Sequence, residues 1–218
     1  MIFLSLKTYR EATGSAAVQL LSIAKRVMHE TGVPIIPCVQ PTDIYRVHTE
    51  VGMEVWAQHV DPIDPGRNFG WLSPYSAKEA GATGTVINHD EHMMNFEKIG
   101  ETVVKAKENG LKTIVIVDSV DLAQMVTALS PDYVAYEKGE LIAGTTSMID
   151  EEEESIREVV SKVKQPVIVG AAISTGEHVR KVLQTGAKGV ILASAVVKAK
   201  DPEAKLRELC GAFFEAKL

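Results

Sequence analysis

The chain has 218 residues, of which 45% are apolar and 24% are charged, so it can bury one large core and lacks the composition of a disordered protein. Its 23 basic and 29 acidic residues give a net charge of −6, and no dense basic stretch indicates a nucleic-acid partner. We therefore expect a single domain over residues 1–218 that does not bind nucleic acid.

Strand and helix patterns alternate along the whole chain. The predicted strands are Ile2–Leu6, Pro34–Cys38, Glu54–His59, Thr83–Ile87, Thr113–Val117, Tyr133–Tyr136, Val167–Val169 and Gly189–Leu192. Most are continuous apolar runs, which are typical of parallel strands buried on both faces. Eight strand–helix units in this length predict one α/β domain, a (β/α)8 TIM barrel with eight parallel strands. An open doubly wound sheet would usually carry a nucleotide-binding loop, and neither GxGxxG nor GxxxxGK[ST] occurs.

Start and stop signals delimit several predicted helices. Gly110 is expected to end one helix, and the segment Ser174–Glu177 has the pattern of a capping box. Asp201 precedes Pro202, which predicts a cap followed by a first helical turn. The acidic run 150–154 is interpreted as a helix start, where unpaired N–H groups and the helix dipole stabilise carboxylates.

No segment predicts export, a membrane span or a bound metal. The first residues lack a charged start, a long apolar run and a cleavage site, and no apolar stretch reaches about 18 residues. Cys38 and Cys210 form neither a metal-binding spacing nor a disulfide framework. We expect a cytoplasmic protein without a metal, another cofactor or a membrane partner.

Polar residues follow three predicted strands at the end where a barrel carries its active site. Lys7 follows the first strand, His89 and Glu91 follow the fourth, and Glu137 follows the sixth. Because the carboxyl ends of all barrel strands meet at one mouth, these side chains should converge there. Each one alone is commonly a solvated or capping residue, so only their combination indicates chemistry.

Five segments carry a family resemblance: KTYRE after the first strand, WAQHVD at the third, GATGTVINHDE at the fourth, PDYVAYE at the sixth and ILASAVVKAKDP at the eighth. Together they span essentially the whole chain and resemble archaeal triosephosphate isomerases. The resemblance implies a homo-oligomer, either dimer or tetramer. It also implies interconversion of D-glyceraldehyde 3-phosphate and dihydroxyacetone phosphate through an enediolate, in glycolysis and gluconeogenesis.

The same resemblance implies roles for individual residues. Glu137 would move the proton between adjacent carbons, with Glu91 as a neighbour of the reacting groups. Neutral His89 would polarise the substrate oxygens, and Lys7 would stabilise the enediolate. These roles agree with the chemistry, since proton removal beside a carbonyl needs a carboxylate and donors placed for the developing oxyanion.

A site for the substrate phosphate is implied in loops of small residues, whose main-chain N–H groups an anion can approach closely. One part belongs to a lid after the sixth strand, and the others follow the seventh and eighth strands. The implied substrate-binding positions, in these loops and beside the reacting groups, are Ser5, Glu91, Gly144, Thr145, Gly170, Ala171, Ala172, Ala193, Ser194 and Ala195. The expected ligand is a small phosphorylated triose.

Several residues depart from the family pattern. They are Ser5 for asparagine, Phe69 for threonine in a loop that reaches a neighbouring subunit, Asp90 for serine, Lys138-Gly139 for a proline-containing hinge, and Ala172 and Ala195 for glycine. Restoring glycine at the two alanines is expected to cost stability. Asp90 is expected either to favour the protonated ring of His89 or to cap the following helix.

These departures leave three functions open. The chain is expected to isomerise triose phosphates, to isomerise another short sugar phosphate, or to bind a metabolite with reduced or lost activity. The retained Lys7, His89 and Glu137 favour the first.

Overall fold

The computed structural model describes residues 1–142 and 146–216. Within them, parallel strands pair in chain order and close into a barrel between the last strand and the first. The strands are β1 Ile2–Ser5, β2 Ile35–Val39, β3 Trp56–Ala57, β4 Gly84–Ile87, β5 Lys112–Val117, β6 Tyr133–Tyr136, β7 Val167–Val169 and β8 Gly189–Leu192. The predicted TIM barrel with eight parallel strands is confirmed.

Helices connect the strands around the outside of the barrel. They are α1 Ser15–Thr31, α2 Pro41–Arg46, α3 Pro74–Glu79, α4 Phe96–Glu108, α5 Val120–Thr127, α6 Met148–Glu151, α7 Glu153–Lys162, α8 Gly176–Gln184, α9 Ser194–Val197 and α10 Pro202–Glu215. Short 3-10 turns cover Arg10–Ala12, Asp90–His92 and Gly139–Leu141, and a π-helical turn covers Val47–Val51. No helix in the described ranges is long and apolar enough to cross a membrane.

The helix boundaries confirm two predicted signals and correct a third. Gly110 follows the end of α4 with φ +70°, and the Asp201 carboxylate caps α10 by accepting from Ala204 N at 2.9 Å. The capping-box prediction at Ser174 was wrong by one residue. Thr175 is the cap instead, because its extended backbone lets its hydroxyl accept from His178 N at 3.1 Å.

The acidic run divides between two helices. Asp150 and Glu151 lie in α6, and Glu153 and Glu154 lie in the first turn of α7, as the interpretation of a helix start requires. Glu152, between the two helices, pairs with Lys138 at 2.5 Å.

The barrel interior is packed with side chains of one apolar cluster. Phe3 lies edge-on to Trp56 with 5.2 Å between ring centroids, and the Trp56 indole N–H donates to Glu54 at 3.0 Å. Gly84, the register partner of Trp56 on β4, leaves room for the indole, since a Cβ there would overlap it. The other cluster fills the layer between barrel and helices. The packing of the barrel interior therefore depends on the pairing of a large residue, Trp56, with a residue that has no side chain, Gly84.

Gly84→Ala should lower the free energy of unfolding by about 1–3 kcal/mol, the usual cost of overpacking a core. Gly211→Ala is the matched control, because it lies in α10 with no neighbouring atom close to the added methyl group and should stabilise by roughly 0.5–1 kcal/mol. Urea unfolding of both variants measures the two effects. Equal stability of Gly84→Ala and the parent protein would contradict the packing argument.

Candidate active site

The carboxyl ends of the strands open into a cavity of about 380 Å³. Nine of the residues implied by the resemblance line it: Ser5, Lys7, His89, Glu137, Ala171, Ala172, Ala193, Ser194 and Ala195. Glu91 lines an adjoining cavity of about 370 Å³ above β2 to β4, which Ser5, Lys7 and His89 also border. Gly144 and Thr145 lie outside the described residues.

Glu137 is a buried carboxylate at the end of β6. Its Oε1 accepts a hydrogen bond from Ala171 N at 3.1 Å, while Oε2 has no hydrogen-bond partner in the described residues. Burial raises the pKa of Glu137 to about 7, although the Ala171 N–H and the charge of Lys7 oppose this shift. A carboxyl group with a pKa near neutrality can both take and return a proton at physiological pH.

Gly170 sits directly behind this carboxylate. A Cβ at Gly170 would overlap Glu137 Oε1, so the position accepts no side chain while Glu137 keeps its conformation. The Gly170 N–H donates to the Tyr136 carbonyl at 3.1 Å, and the Ala171 N–H is taken by Glu137. In this structure the N–H groups of these two residues of the implied phosphate loop are therefore already bonded, one to the barrel and the other to the Glu137 carboxylate.

His89 faces Glu137 from the loop after β4. Its Nε2 is 3.9 Å from Glu137 Oε2, and its Nδ1 accepts from Glu91 N at 3.0 Å. An acceptor role for Nδ1 leaves the proton of the neutral ring on Nε2, which points towards the cavity. Burial and the charge of Lys7 lower the pKa of His89 and outweigh the opposite effect of Glu91 and Asp90. The ring is therefore held as a neutral Nε2–H donor.

Lys7 completes the group from the loop after β1. Its ammonium pairs with Glu91 Oε1 at 2.6 Å, and its carbonyl accepts from Gln58 Nε2 at 3.0 Å. Gln58 also donates to the Cys38 carbonyl at 3.0 Å, which ties the Lys7 loop to β2. Gln58 is a supporting residue that sequence reasoning missed, although it lies within the WAQHVD segment.

Strained backbone is concentrated at this mouth. Four of the five non-glycine residues with positive φ in the described chain border it: Lys7, Asn88, Ala171 and Ala172. Such conformations are costly and tend to persist at functional sites. The side chain of Asn88 holds its turn by donating to the Ile116 carbonyl at 2.9 Å and accepting from Met94 N at 2.8 Å. Asn88 belongs to the GATGTVINHDE segment, but its supporting role was not predicted from the sequence.

The structure supports only one of the two expectations for Asp90, and only as a weak effect. The cap of its short helical turn is His89 Nδ1, and the cap of α4 is Asn95, so Asp90 caps neither. Its charge does favour the protonated ring of His89, but more weakly than burial and Lys7 oppose it. The Asp90 carboxylate lies against Gly139, where it would overlap a Cβ. Two departures from the family pattern are therefore in contact with each other.

A parallel barrel with a buried carboxylate, a neutral imidazole and an ammonium at its mouth defines a barrel enzyme of the proton-transfer class. The family model described as triosephosphate isomerase matches residues 1–212. The chain belongs to the triosephosphate isomerase family.

Individual relatives agree with the family match. The chain is 40% identical to the triosephosphate isomerase of Methanothermus fervidus over 96% of both chains. It is 41% identical to that of Methanosarcina mazei over 95% of this chain and 96% of the relative. The crystal structure of triosephosphate isomerase from Bartonella henselae shares the fold with a TM-score of 0.75, at 18% identity over 98% of each chain. The archaeal resemblance found in the five sequence segments is confirmed by these relatives.

The two alanines that stand for glycine should respond oppositely to its restoration. Ala172 has φ +53°, a region that costs an L-residue about 1–2 kcal/mol. The stability cost expected for glycine at this position is therefore reversed, and Ala172→Gly should stabilise the protein by up to about 1 kcal/mol. Ala195 lies in helical α9, so Ala195→Gly should destabilise by roughly 0.5–1 kcal/mol. Urea unfolding measures both changes, and shifts of the same sign would contradict the conformational argument.

The contact between Asp90 and Gly139 should appear as thermodynamic coupling. Gly139→Ala should destabilise the parent protein more than it destabilises Asp90→Ser, because the smaller serine leaves room for the methyl group. We expect a coupling energy of about 0.5–3 kcal/mol in a double-mutant cycle of unfolding free energies. Strictly additive effects would show that the two residues do not constrain each other.

Proposed function

We propose that this chain is a triosephosphate isomerase that interconverts D-glyceraldehyde 3-phosphate and dihydroxyacetone phosphate. The single observation that carries the proposal is the buried carboxylate of Glu137, one oxygen of which lies beside Nε2 of His89 and has no hydrogen-bond partner among the described residues. The same reaction belongs by name to the archaeal relatives. The reaction needs a base that moves a proton between neighbouring carbons and groups that stabilise the enediolate formed between them.

We assign the base to Glu137. Its pKa of about 7 suits a group that must be deprotonated before attack and must hold the proton afterwards. The hydrogen bond from Ala171 N fixes one oxygen and leaves the other available to the substrate. A proton taken from one carbon by Oε2 can therefore return to the adjacent carbon without movement of the main chain.

We assign oxyanion stabilisation to His89 and Lys7. The neutral His89 ring offers its Nε2–H to the substrate oxygens, and a neutral ring does not hand over its proton as readily as an imidazolium. The Lys7 ammonium supplies positive charge in the same cavity, tempered by its pairing with Glu91. Donors that are already oriented need no reorganisation when charge develops.

The phosphate group would lie on the β7 and β8 side of the cavity. Ser194 and Ala195 stand in the first turn of α9, where main-chain N–H groups lack intrahelical acceptors. Ala172 adds a small residue to the lining of the same cavity. Ser5 lines the floor near Lys7, and Gly144 with Thr145 belongs to the proposed lid, residues 138–147. Closure of this lid would exclude water from the enediolate.

A second candidate, isomerisation of a longer sugar phosphate, is favoured by the adjoining cavity. That cavity shares Ser5, Lys7 and His89 with the active-site cavity, and Gln40, Gln58 and His59 add polar groups to a lining that is largely apolar. Turnover of four- and five-carbon aldose phosphates at a rate above that of the triose would support this candidate over the first.

We further propose a cytoplasmic, single-domain protein that forms a homo-oligomer. Phe69 is fully exposed and Trp71 is half-exposed in the loop after β3, and exposed aromatic rings commonly mark an interface. Cys38 and Cys210 are buried and unlinked, which is compatible with a reducing compartment. Sedimentation at several protein concentrations would test the oligomer.

A coupled isomerase assay with glyceraldehyde 3-phosphate tests the proposed function. Glu137→Gln should lower kcat by about 10²- to 10⁴-fold, the usual contribution of a general base. Glu154→Gln, an exposed glutamate in α7, is the matched control and should retain full activity. Unchanged turnover in folded Glu137→Gln would remove Glu137 from the mechanism. An inactive parent protein that still binds phosphate would support a metabolite-binding homologue.

The pH dependence of the same variant separates the chemistry from the fold. With a folded pKa of about 7, raised by burial from 4.5, kcat/KM should rise as the pH passes upward through about 7. Between these two values the folded state holds a proton that the unfolded state has released, so the parent protein loses stability as the pH rises. Glu137→Gln lacks this loss and should be the more stable protein above pH 7, with the advantage shrinking to nothing below about 4.5.

A further inference from the structure

Lys198 lies at the β8 side of the active-site cavity. It directly follows α9, and its side chain lines the cavity together with Ala172, Ser194 and Ala195. Its Nζ lies 4.4 Å from the centroid of the Tyr9 ring, and Tyr9 lines the same cavity from the loop after β1. The residue therefore brings a positive charge to the part of the cavity assigned to the phosphate.

Lys198 differs from the other lysine that lines the cavity because its ammonium has no carboxylate partner in the described residues. The other cavity-lining ammonium, on Lys7, is paired with Glu91 at 2.6 Å. Glu137 adds a carboxylate within the cavity, and Asp90 adds another next to His89. Lys198 forms no ion pair with any residue in the described ranges. A phosphate monoester carries a charge of about −1.5 to −2 at neutral pH, and the other ammonium that lines the cavity already shares its charge with a carboxylate.

The contact with Tyr9 holds the ammonium without cancelling its charge. A carboxylate partner would fix Lys198 equally well but would remove most of the attraction for an anion. An aromatic face attracts a cation through its quadrupole and carries no net charge. Tyr9 is partly buried and the Lys198 side chain is exposed overall, so the ring is the fixed member of the pair.

We propose that Lys198, held over Tyr9, is a specificity-determining residue that selects a phosphorylated substrate and speeds its capture. The proposal rests on the proposed function for the identity of the substrate, while the attraction of a phosphate group can be measured without turnover. Within the described residues, no hydrogen bond or ion pair joins the Lys198 side chain to the proton-transfer groups. Lys198 should therefore act on substrate capture and leave the chemical step unchanged.

The test compares Lys198→Met with Lys200→Met. Lys200 is an exposed lysine two residues further along that does not line the cavity, so both variants change the net charge equally. Lys198→Met should raise KM for glyceraldehyde 3-phosphate about tenfold, leave kcat within about twofold, and flatten the dependence of kcat/KM on ionic strength. Lys200→Met should resemble the parent protein, and Lys198→Arg should restore KM because it keeps the charge and stacks on Tyr9.

Three kinetic outcomes would overturn the proposal: equal KM values for Lys198→Met and Lys200→Met, a loss of kcat in Lys198→Met, or no recovery in Lys198→Arg. A second readout is the rise in melting temperature caused by inorganic phosphate or 2-phosphoglycolate, since a ligand of the native state stabilises it. If the parent protein binds these anions but lacks isomerase activity, the proposed function fails, and a smaller shift in Lys198→Met than in Lys200→Met still supports Lys198. Equal shifts in the two variants would reject its role in anion binding.

Discussion

The burial of one carboxylate sets the conditions for the rest of the mouth. Glu137 can be kept in a nearly water-free position only because Ala171 offers it a main-chain N–H and Gly170 offers it space. To present that N–H, the backbone at Ala171 adopts φ +70°. The carbonyl of Ala171 accepts from Met148 N at 3.2 Å, which joins the base to the far end of the proposed lid. A strained residue thus links the reacting group to the segment expected to cover it.

The two sides of the mouth present different kinds of chemical groups. The groups assigned to proton transfer come from the loops after β1, β4 and β6, whereas the segments after β7 and β8 present mostly small residues, with Lys198 as their one charged side chain that lines the cavity in the described residues. The Bartonella structure shares the barrel fold at only 18% identity, so the same fold forms from widely different sequences. Function therefore depends on the residues that the loops place at the strand ends, and the barrel is the scaffold that holds these loops together.

Sequence was a good guide where a residue's environment follows from its neighbours in the chain. The strands Tyr133–Tyr136, Val167–Val169 and Gly189–Leu192 were predicted to the residue, because each is a short apolar run bounded by polar or small residues. β3 was predicted as Glu54–His59 but covers only Trp56–Ala57, because the chain turns early to place His59 beside Asp61 at 3.1 Å. Convergence of Lys7, His89 and Glu137 followed from the barrel rule alone.

The features that sequence did not provide are those set by contacts between distant segments. Nothing local marks Ala171 and Ala172 as left-handed, since alanine usually avoids that region. The pairing of Lys198 with Tyr9 joins residues from opposite ends of the chain. The caps at Ser174 and Thr175 could not be separated by pattern, because both residue types cap helices well and only the backbone angles choose between them.

The contact between Asp90 and Gly139 also constrains how these two positions can evolve. In its present conformation the carboxylate at position 90 fits only if position 139 lacks a side chain, whereas glycine at 139 leaves room for either a serine or an aspartate at 90. If glycine at 139 arises before aspartate at 90, the intermediate is well packed. If aspartate arises first, the intermediate is crowded. Once aspartate is established, the glycine becomes difficult to replace. A return to a stiffer hinge at position 139 therefore requires that the side chain at position 90 rotates away or is replaced by a smaller one.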